Sequence, residues 1–324
     1  MLPSFPLKFP SLFSFTQPWL ILCCLLLGLL SGCKDNPTST SFTSENVPPP
    51  SQLTRTVEHG MGETKVPETP QRIVTVEFFT TESLLAIDLF PIGTVTPRPG
   101  YLEKRLQQAE SIGSPRPDLE RVLALQPDLI LGTTYREEIY SQASQIAPTV
   151  LFELESSADW KQVFASVGKA VNRSEAVEQV MKDYSNRLER FKEKMSNPGD
   201  LEVSVVRVYP DHFDLYLSKT FAGTILEDAG LSCPLSQSSD DFIQSISKEQ
   251  LQLADGDVIF VWTYGEDSET VMEKLKADPL WLKLEAVQQG KVYQVNGNHW
   301  IGSGPIAANL VIDDLFRYLV KEKP

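Results

Sequence analysis

The sequence is short of the side chains that most chemistry needs. It has three histidines, His59, His212 and His299, and four cysteines, Cys23, Cys24, Cys33 and Cys233, in 324 residues. A transition-metal site built from protein ligands draws several His or Cys, so a metal in this chain would arrive already chelated and no direct metal ligand is expected. Gly-x-Ser-x-Gly, Gly-x-Gly-x-x-Gly, P-loop and His-Glu-x-x-His motifs are missing. That removes the common signatures of hydrolysis, dinucleotide binding, phosphate cradling and zinc catalysis, and no cofactor is expected. Ile301-Gly302-Ser303-Gly304-Pro305 is glycine-rich but lacks the Lys and the spacing for phosphates, and reads as the start of a helix. Positive charge is also scarce. Lys and Arg number 29 against 43 Asp and Glu, a net charge of −14. This balance excludes a nucleic-acid groove and a general affinity for anionic membrane surfaces. A local basic site inside a cleft remains open.

Apolar runs of membrane-spanning length are missing too. Trp19 to Leu30 is twelve apolar residues, short for a span. It ends in Leu30-Ser31-Gly32-Cys33, a lipobox: small residues before a Cys that is acylated after cleavage. Residues 1–32 are therefore expected to be a lipoprotein signal peptide and Cys33 the lipidated residue. The region before the apolar run carries only Lys8, so an uncut signal anchor is the alternative. Cleavage would remove Cys23 and Cys24. Cys233, the single internal Cys, forms no intramolecular disulfide and is expected to be a buried small hydrophobe. Residues 33–56 are rich in Ser, Thr, Pro and Asn, with Pro48 to Pro50 in a row. Such a segment buries no core and reads as a flexible tether.

What is present begins with a helix. From Asn172 to Met195, apolar residues fall at Val177, Val180, Met181, Tyr184, Leu188, Phe191 and Met195, which is helical spacing. Asn172 precedes Glu175 by three residues, an N-cap arrangement, and Asn197-Pro198-Gly199 stops the helix. About 20 residues at ~1.5 Å each span about 30 Å. The chain before this helix is echoed after it. Asp118, Glu120 and Asp128 mark a cap, a short amphipathic helix and an apolar strand; Ser247, Glu249 and Asp257 mark the same, with ten residues from cap to Asp both times. Each half opens with a β-rich run, Arg72 to Val76 and Val203 to Val208, followed by a helix, Glu82 to Gly93 and Ala222 to Pro234. The reading is α/β, two lobes with parallel-sheet cores joined by a single long helix, with a ligand cleft between them. The N-terminal lobe covers 57–157, the connecting helical segment 158–197 with its long helix at about 173–195, and the C-terminal lobe 198–324. One large α/β domain with a long surface helix is the alternative.

Strands alternate with helices, so parallel sheets are expected, and ligands bind at the carboxyl ends of such strands. Those ends carry Arg98, Tyr101, Tyr135 and Arg136 in the first lobe, and Arg207, Tyr209, Trp262, Tyr264 and Trp300 in the second. Guanidinium groups grip carboxylate, hydroxamate or catecholate oxygens bidentately. Aromatics supply rigid walls with polar tips. Singly, each Arg reads equally as a surface residue and each Trp as core; together they outline a cleft for an anionic, partly apolar ligand.

Pro70-Gln71-Arg72-Ile73-Val74, Glu82-Ser83-Leu84-Leu85-Ala86, Asp118-Leu119-Glu120, Leu125-Gln126-Pro127-Asp128-Leu129-Ile130, Ile146-Ala147-Pro148-Thr149, Asp257-Val258-Ile259-Phe260, Trp281 to Val287, and Gly304-Pro305 with Ala307-Ala308 give a resemblance. Over about residues 57–322 the chain resembles the substrate-binding lipoproteins of ABC importers for ferric siderophores, the class with two lobes and one rigid connecting helix. The resemblance implies a monomeric, non-enzymatic protein, lipid-anchored outside the cytoplasmic membrane, that delivers an iron(III)–siderophore complex to a permease. It implies cobalamin or haem as the alternative ligand. It also implies that one acid on each lobe docks on permease arginines, Glu120 and Glu227 by motif position, and that Trp300 is the leading ligand contact. A metal-cluster or hydrolytic enzyme on the same scaffold, or a signalling receptor subunit, are rival functions.

Overall fold

The computed structural model describes residues 53–265 and 267–321. The expected signal peptide, the lipidated Cys33 and most of the expected tether lie outside these residues. A β-hairpin comes first: β1 (Thr54–His59) runs antiparallel to β2 (Gly62–Pro67). Its first strand begins in the last three residues of the composition-defined tether, Thr54 to Thr56, and runs on into the lobe. Gly60 N–H donates to the Leu151 carbonyl at 2.9 Å and fastens the hairpin to the body.

The first lobe is β3 (Ile73–Thr75), α1 (Phe78–Ala86), β4 (Gly93–Thr94), α2 (Gly100–Glu103), β5 (Glu110–Ser111), α3 (Leu119–Ala124), β6 (Leu129–Thr133), α4 (Tyr140–Ile146) and β7 (Thr149–Phe152). All five strands of its sheet are parallel, in the order β5-β4-β3-β6-β7. Helices cover both faces, so β6 and β7 are buried at every position, as parallel strands are.

Next come α5 (Trp160–Ala170) and α6 (Ser174–Met195), the long helix. Its 22 residues correspond to about 33 Å at ~1.5 Å each. Its apolar stripe serves two cores. Val177, Val180 and Met181 pack with Leu129 and Phe152 of the first lobe and with Val163 and Phe164 of α5. Tyr184, Leu188 and Phe191 pack with Phe221, Phe260 and Val311 of the second. The expected cap is not there. Asn172 has φ 56° and its side-chain amide donates to Glu68 at 3.0 Å, while Arg173 occupies the cap position without a side-chain bond. Asn tolerates the left-handed region, so Asn172 makes the turn between α5 and α6 and is unavailable to cap.

The second lobe is β8 (Val203–Val208), β9 (Phe213–Tyr216), α7 (Phe221–Asp228), β10 (Ile243–Ile246), β11 (Val258–Trp262), α8 (Ser268–Lys276), α9 (Glu285–Gln288), β12 (Val292–Gln294), α10 (Gly297–Trp300) and α11 (Pro305–Leu315). Its sheet order is β10-β9-β8-β11-β12. The core β8-β11-β12 is parallel, and β9 and β10 add an antiparallel edge that sequence periodicity did not announce. Cys233 is exposed rather than buried, because the loop after α7 carries it over the surface.

The repeated Asp of the two halves is a joint. Asp128 accepts from the Gln71 and Arg72 amides at 2.7 and 2.9 Å, and Asp257 accepts from the Glu202 amide at 2.9 Å. Each ties the start of one strand to the start of the first strand of its lobe. The paired caps hold too: Asp118 accepts from the Glu120 amide at 3.0 Å, and Ser247 forms a capping box with Gln250.

Candidate functional site

Arg207, the penultimate residue of β8, is the centre of the strand-end cluster. Its guanidinium lies 4.3 Å from the Tyr209 ring centroid and 5.1 Å from that of Tyr264. Burial raises the hydroxyl pKa values of Tyr216 and Tyr264, and the Arg207 charge opposes the rise. Aromatic faces hold an arginine by cation–π attraction without consuming its N–H groups. Arg207 Nε is buried and has no partner among the described residues. On the far side of Tyr209 the His212 ring is stacked at 4.1 Å. Arg207, Tyr209 and Tyr264 are therefore brought together, and the other lobe's Tyr101 packs against the same core cluster as Tyr264.

Arg136 and Tyr135 form a second group at the end of β6. Tyr135 is exposed, with the Arg136 guanidinium 5.2 Å from its centroid. Arg136 donates to the Pro115 carbonyl at 3.1 Å, and its Nε is buried and unpartnered among the described residues. Beside it sits Glu77, which caps α1 by accepting from the Phe79 and Thr80 amides at 2.6 and 3.0 Å. Burial raises the Glu77 pKa, and those bonds and the Arg136 charge oppose the rise. Arg116, exposed in the same loop as Pro115, was not among the expected residues. The signal for it was present: Pro115-Arg116-Pro117 repeats the pattern of Pro97-Arg98-Pro99.

Three expected contacts are placed elsewhere. Arg98 turns inward and donates to the carbonyls of Leu106, at 2.5 Å, and Ala109. Its N–H groups close the loop after α2. Trp262 and Trp300 are core residues, 1% and 0% exposed. Trp300 Nε1 donates to Asp314 at 3.0 Å, and its ring packs 4.5 Å from that of Phe260. Trp262 is the register neighbour of Arg207 on β11. Both tryptophans sit in the second-lobe core, their ring centroids 6.4 Å apart. Among the described residues no group of three or more His, Cys, Asp or Glu is placed to hold a metal ion.

The family model for periplasmic binding proteins matches residues 73–298. The chain belongs to the periplasmic binding protein family. It is 34% identical over 315 residues to the probable siderophore-binding lipoprotein YfiY of Bacillus subtilis, covering 91% of this chain and 95% of that one. It is 30% identical over 259 residues to the Fe(3+) dicitrate-binding periplasmic protein FecB of Escherichia coli, covering 76% and 83%. The crystal structure of Staphylococcus aureus SirA complexed with staphyloferrin B superimposes with a TM-score of 0.74 at 28% identity, covering 82% of this chain and 98% of that one.

In this periplasmic binding protein the two expected docking acids are exposed: Glu120 in the first turn of α3, Glu227 in the last turn of α7. They stand on different lobes. A further acid that sequence reasoning passed over, Glu82, is wholly buried where the lobes meet.

Proposed function

We propose that Arg207, with its faces against Tyr209 and Tyr264 and its Nε unpartnered, grips the oxygens of an anionic chelate in the cleft between the lobes. This is the substrate-binding component of an ABC importer, and its ligand is an iron(III)–siderophore complex. Arg136, Arg116 and Tyr135 meet the same ligand from the first lobe. Carboxylate-rich chelates suit this set, because a planar fork of N–H donors matches carboxylate oxygens bidentately; the similarity to a Fe(3+) dicitrate-binding protein agrees in direction. Cobalamin or haem draws no support from the relatives named. The protein performs no chemistry on the ligand. It works as a monomer, held outside the cytoplasmic membrane by lipid on Cys33, and Glu120 and Glu227 present it to the permease.

The test is a fluorescence titration against ferric citrate, a ferric hydroxamate, a ferric catecholate, haemin and cobalamin, each beside its iron-free form where one exists. Trp262, beside Arg207 on the neighbouring strand, is the reporter. Saturable quenching by one ferric chelate and none by its iron-free form is expected. Saturation by haemin or cobalamin alone would replace the ligand and keep the family.

A further inference from the structure

Helix α11 begins without a cap of its own. Gly304 is its N-cap residue and Pro305 its first residue. An N-cap side chain normally offers an oxygen to the N–H two or three residues on, and Gly304 has none. The oxygen comes from the other lobe. Glu82 Oε1 accepts from the Ala307 N–H at 2.7 Å, across 225 residues of sequence. Oε2 accepts from the Ser303 hydroxyl at 2.9 Å, from the Ser303 N–H at 3.4 Å and from the Tyr101 hydroxyl at 2.7 Å. The carboxylate is 0% exposed, and no cation forms an ion pair with it among the described residues. A buried charge without a counter-ion is costly. The donors and the positive end of α11 offset that cost here. The fit is close. A Cβ added at Gly304 would lie 3.1, 3.2 and 3.3 Å from three Glu82 side-chain carbons. Beside this point the Tyr101 and His299 rings meet edge to face across the lobes at 5.6 Å.

We propose that Glu82 is a positioning residue for the cleft: by capping α11 from the opposite lobe it sets the angle between the lobes, and ligand affinity depends on it without its touching ligand. The long helix α6 and the segment before it, where Trp160 packs in the second-lobe core and Lys161 pairs with Asp228, join the lobes along one side. The Glu82 seam attaches them at a further point, the start of α11, and restricts rotation about that side. The consequence for affinity rests on the ligand-binding reading; the seam itself does not. Glu82 and Gly304 both fall within the motif runs that carry the family resemblance, and the seam gives those distant runs a shared task.

Amide exchange on the full chain separates a seam from a local cap. In the parent, the Ala307 amide should exchange as slowly as the interior of α11, although it lies in a first turn. Glu82→Gln should speed exchange at least tenfold at Ala307, and also at 297–301 and at 100–103 across the seam. Gly304→Ser is the complementary variant. Gly304 has an extended backbone, φ −178°, that serine adopts without strain. The new hydroxyl caps α11 in cis while the new Cβ displaces Glu82. Residues 100–103 should then exchange faster while Ala307 stays slow. Unchanged exchange at 100–103 in either variant overturns the proposal, and so does fast exchange at Ala307 in the parent, which needs no variant to fold. With ferric citrate as the probe, both variants should bind at least tenfold more weakly, chiefly through faster release. An opened seam with parental affinity overturns the positioning role. A parent that fails to bind ferric citrate bears on the ligand, and the exchange pattern still decides the seam.

Discussion

A guanidinium can be held by its N–H edges or by its faces, and the two leave it in opposite condition for binding. Arg98 is held by its edges on the carbonyls of Leu106 and Ala109. Arg207 is held by its faces on two tyrosines. Arg98→Ala should therefore cost about 1–3 kcal/mol of stability in denaturant unfolding, from orphaned carbonyls, with affinity of the folded protein unchanged. Arg207→Lys keeps the charge but loses the stacked fork, and should weaken ferric-chelate binding at least about tenfold, ~1.4 kcal/mol, with little loss of stability. A titration showing the reverse pattern would exchange the two roles. Residue types at strand ends were legible in the sequence; the direction of each side chain was not. The carbonyls that capture Arg98 belong to a loop whose path is tertiary, and the burial of Trp300 depends on Asp314 waiting inside. A pH effect belongs at this scale as well. Burial lowers the His299 pKa from 6.5, while Asp314 and Asp313 raise it and Arg317 lowers it; Tyr101 is the neutral group against its ring. A lowered pKa means the folded state prefers the neutral ring, so this stability is present above about pH 6.5 and lost as the pH falls below it. Burial raises Glu82 and Asp314, which act with the opposite sign: their contribution is complete at low pH and lost as the pH rises. The Tm of His299→Gln should fall less than that of the parent between about pH 6.5 and 5. A parallel decline in both proteins would remove His299 as a cause.

Helix α6 has its stripe divided between two cores, and this division explains why one element can make two lobes behave as one body. Its periodicity was readable because seven apolar positions, Val177 to Met195, keep helical spacing over about five turns. Its start was misread at Asn172, where a local motif competed with a left-handed turn that only the packing of α5 on α6 reveals. The antiparallel strands β9 and β10 were hidden for another reason. Each has four residues, and β9 buries Asp214, which accepts from Ser245 of β10; neither shows the alternation that marks a half-exposed strand. Phe191 is 0% exposed, in the second-lobe core and edge to face with Phe316 at 5.6 Å. Phe191→Ala should cost about 3–5 kcal/mol in denaturant unfolding, and the loss should appear in probes of both lobes, because the helix that loosens is shared. A transition that moves in the second lobe alone would show that α6 connects the lobes without coupling them.

At the scale of the whole molecule the question is how an acidic protein finds and fits a membrane partner. A net charge of −14 repels an anionic bilayer, so attraction to the permease must come from discrete contacts with basic groups on it. Glu120 and Glu227 suit that task by exposure and by separation. One stands on each lobe, and α6 with the Glu82 seam holds the lobes as a unit. Exposed acids contribute little singly, since surface ion pairs are worth about 0–1 kcal/mol each. Two held at a fixed spacing act together, because placing the first orients the second. Neither lies among the groups that surround Arg207 or Arg136, so ligand capture should not sense them. Glu120→Lys and Glu227→Lys should each lower ferric-chelate uptake by cells several-fold, and the double variant should abolish it, while quenching titrations give the parental affinity for all three. Raised salt should reproduce part of the single-variant loss in reconstituted vesicles, since exposed charges are screened over about 8–10 Å. Full uptake by the double variant, with affinity intact, would move the docking surface elsewhere on the two lobes.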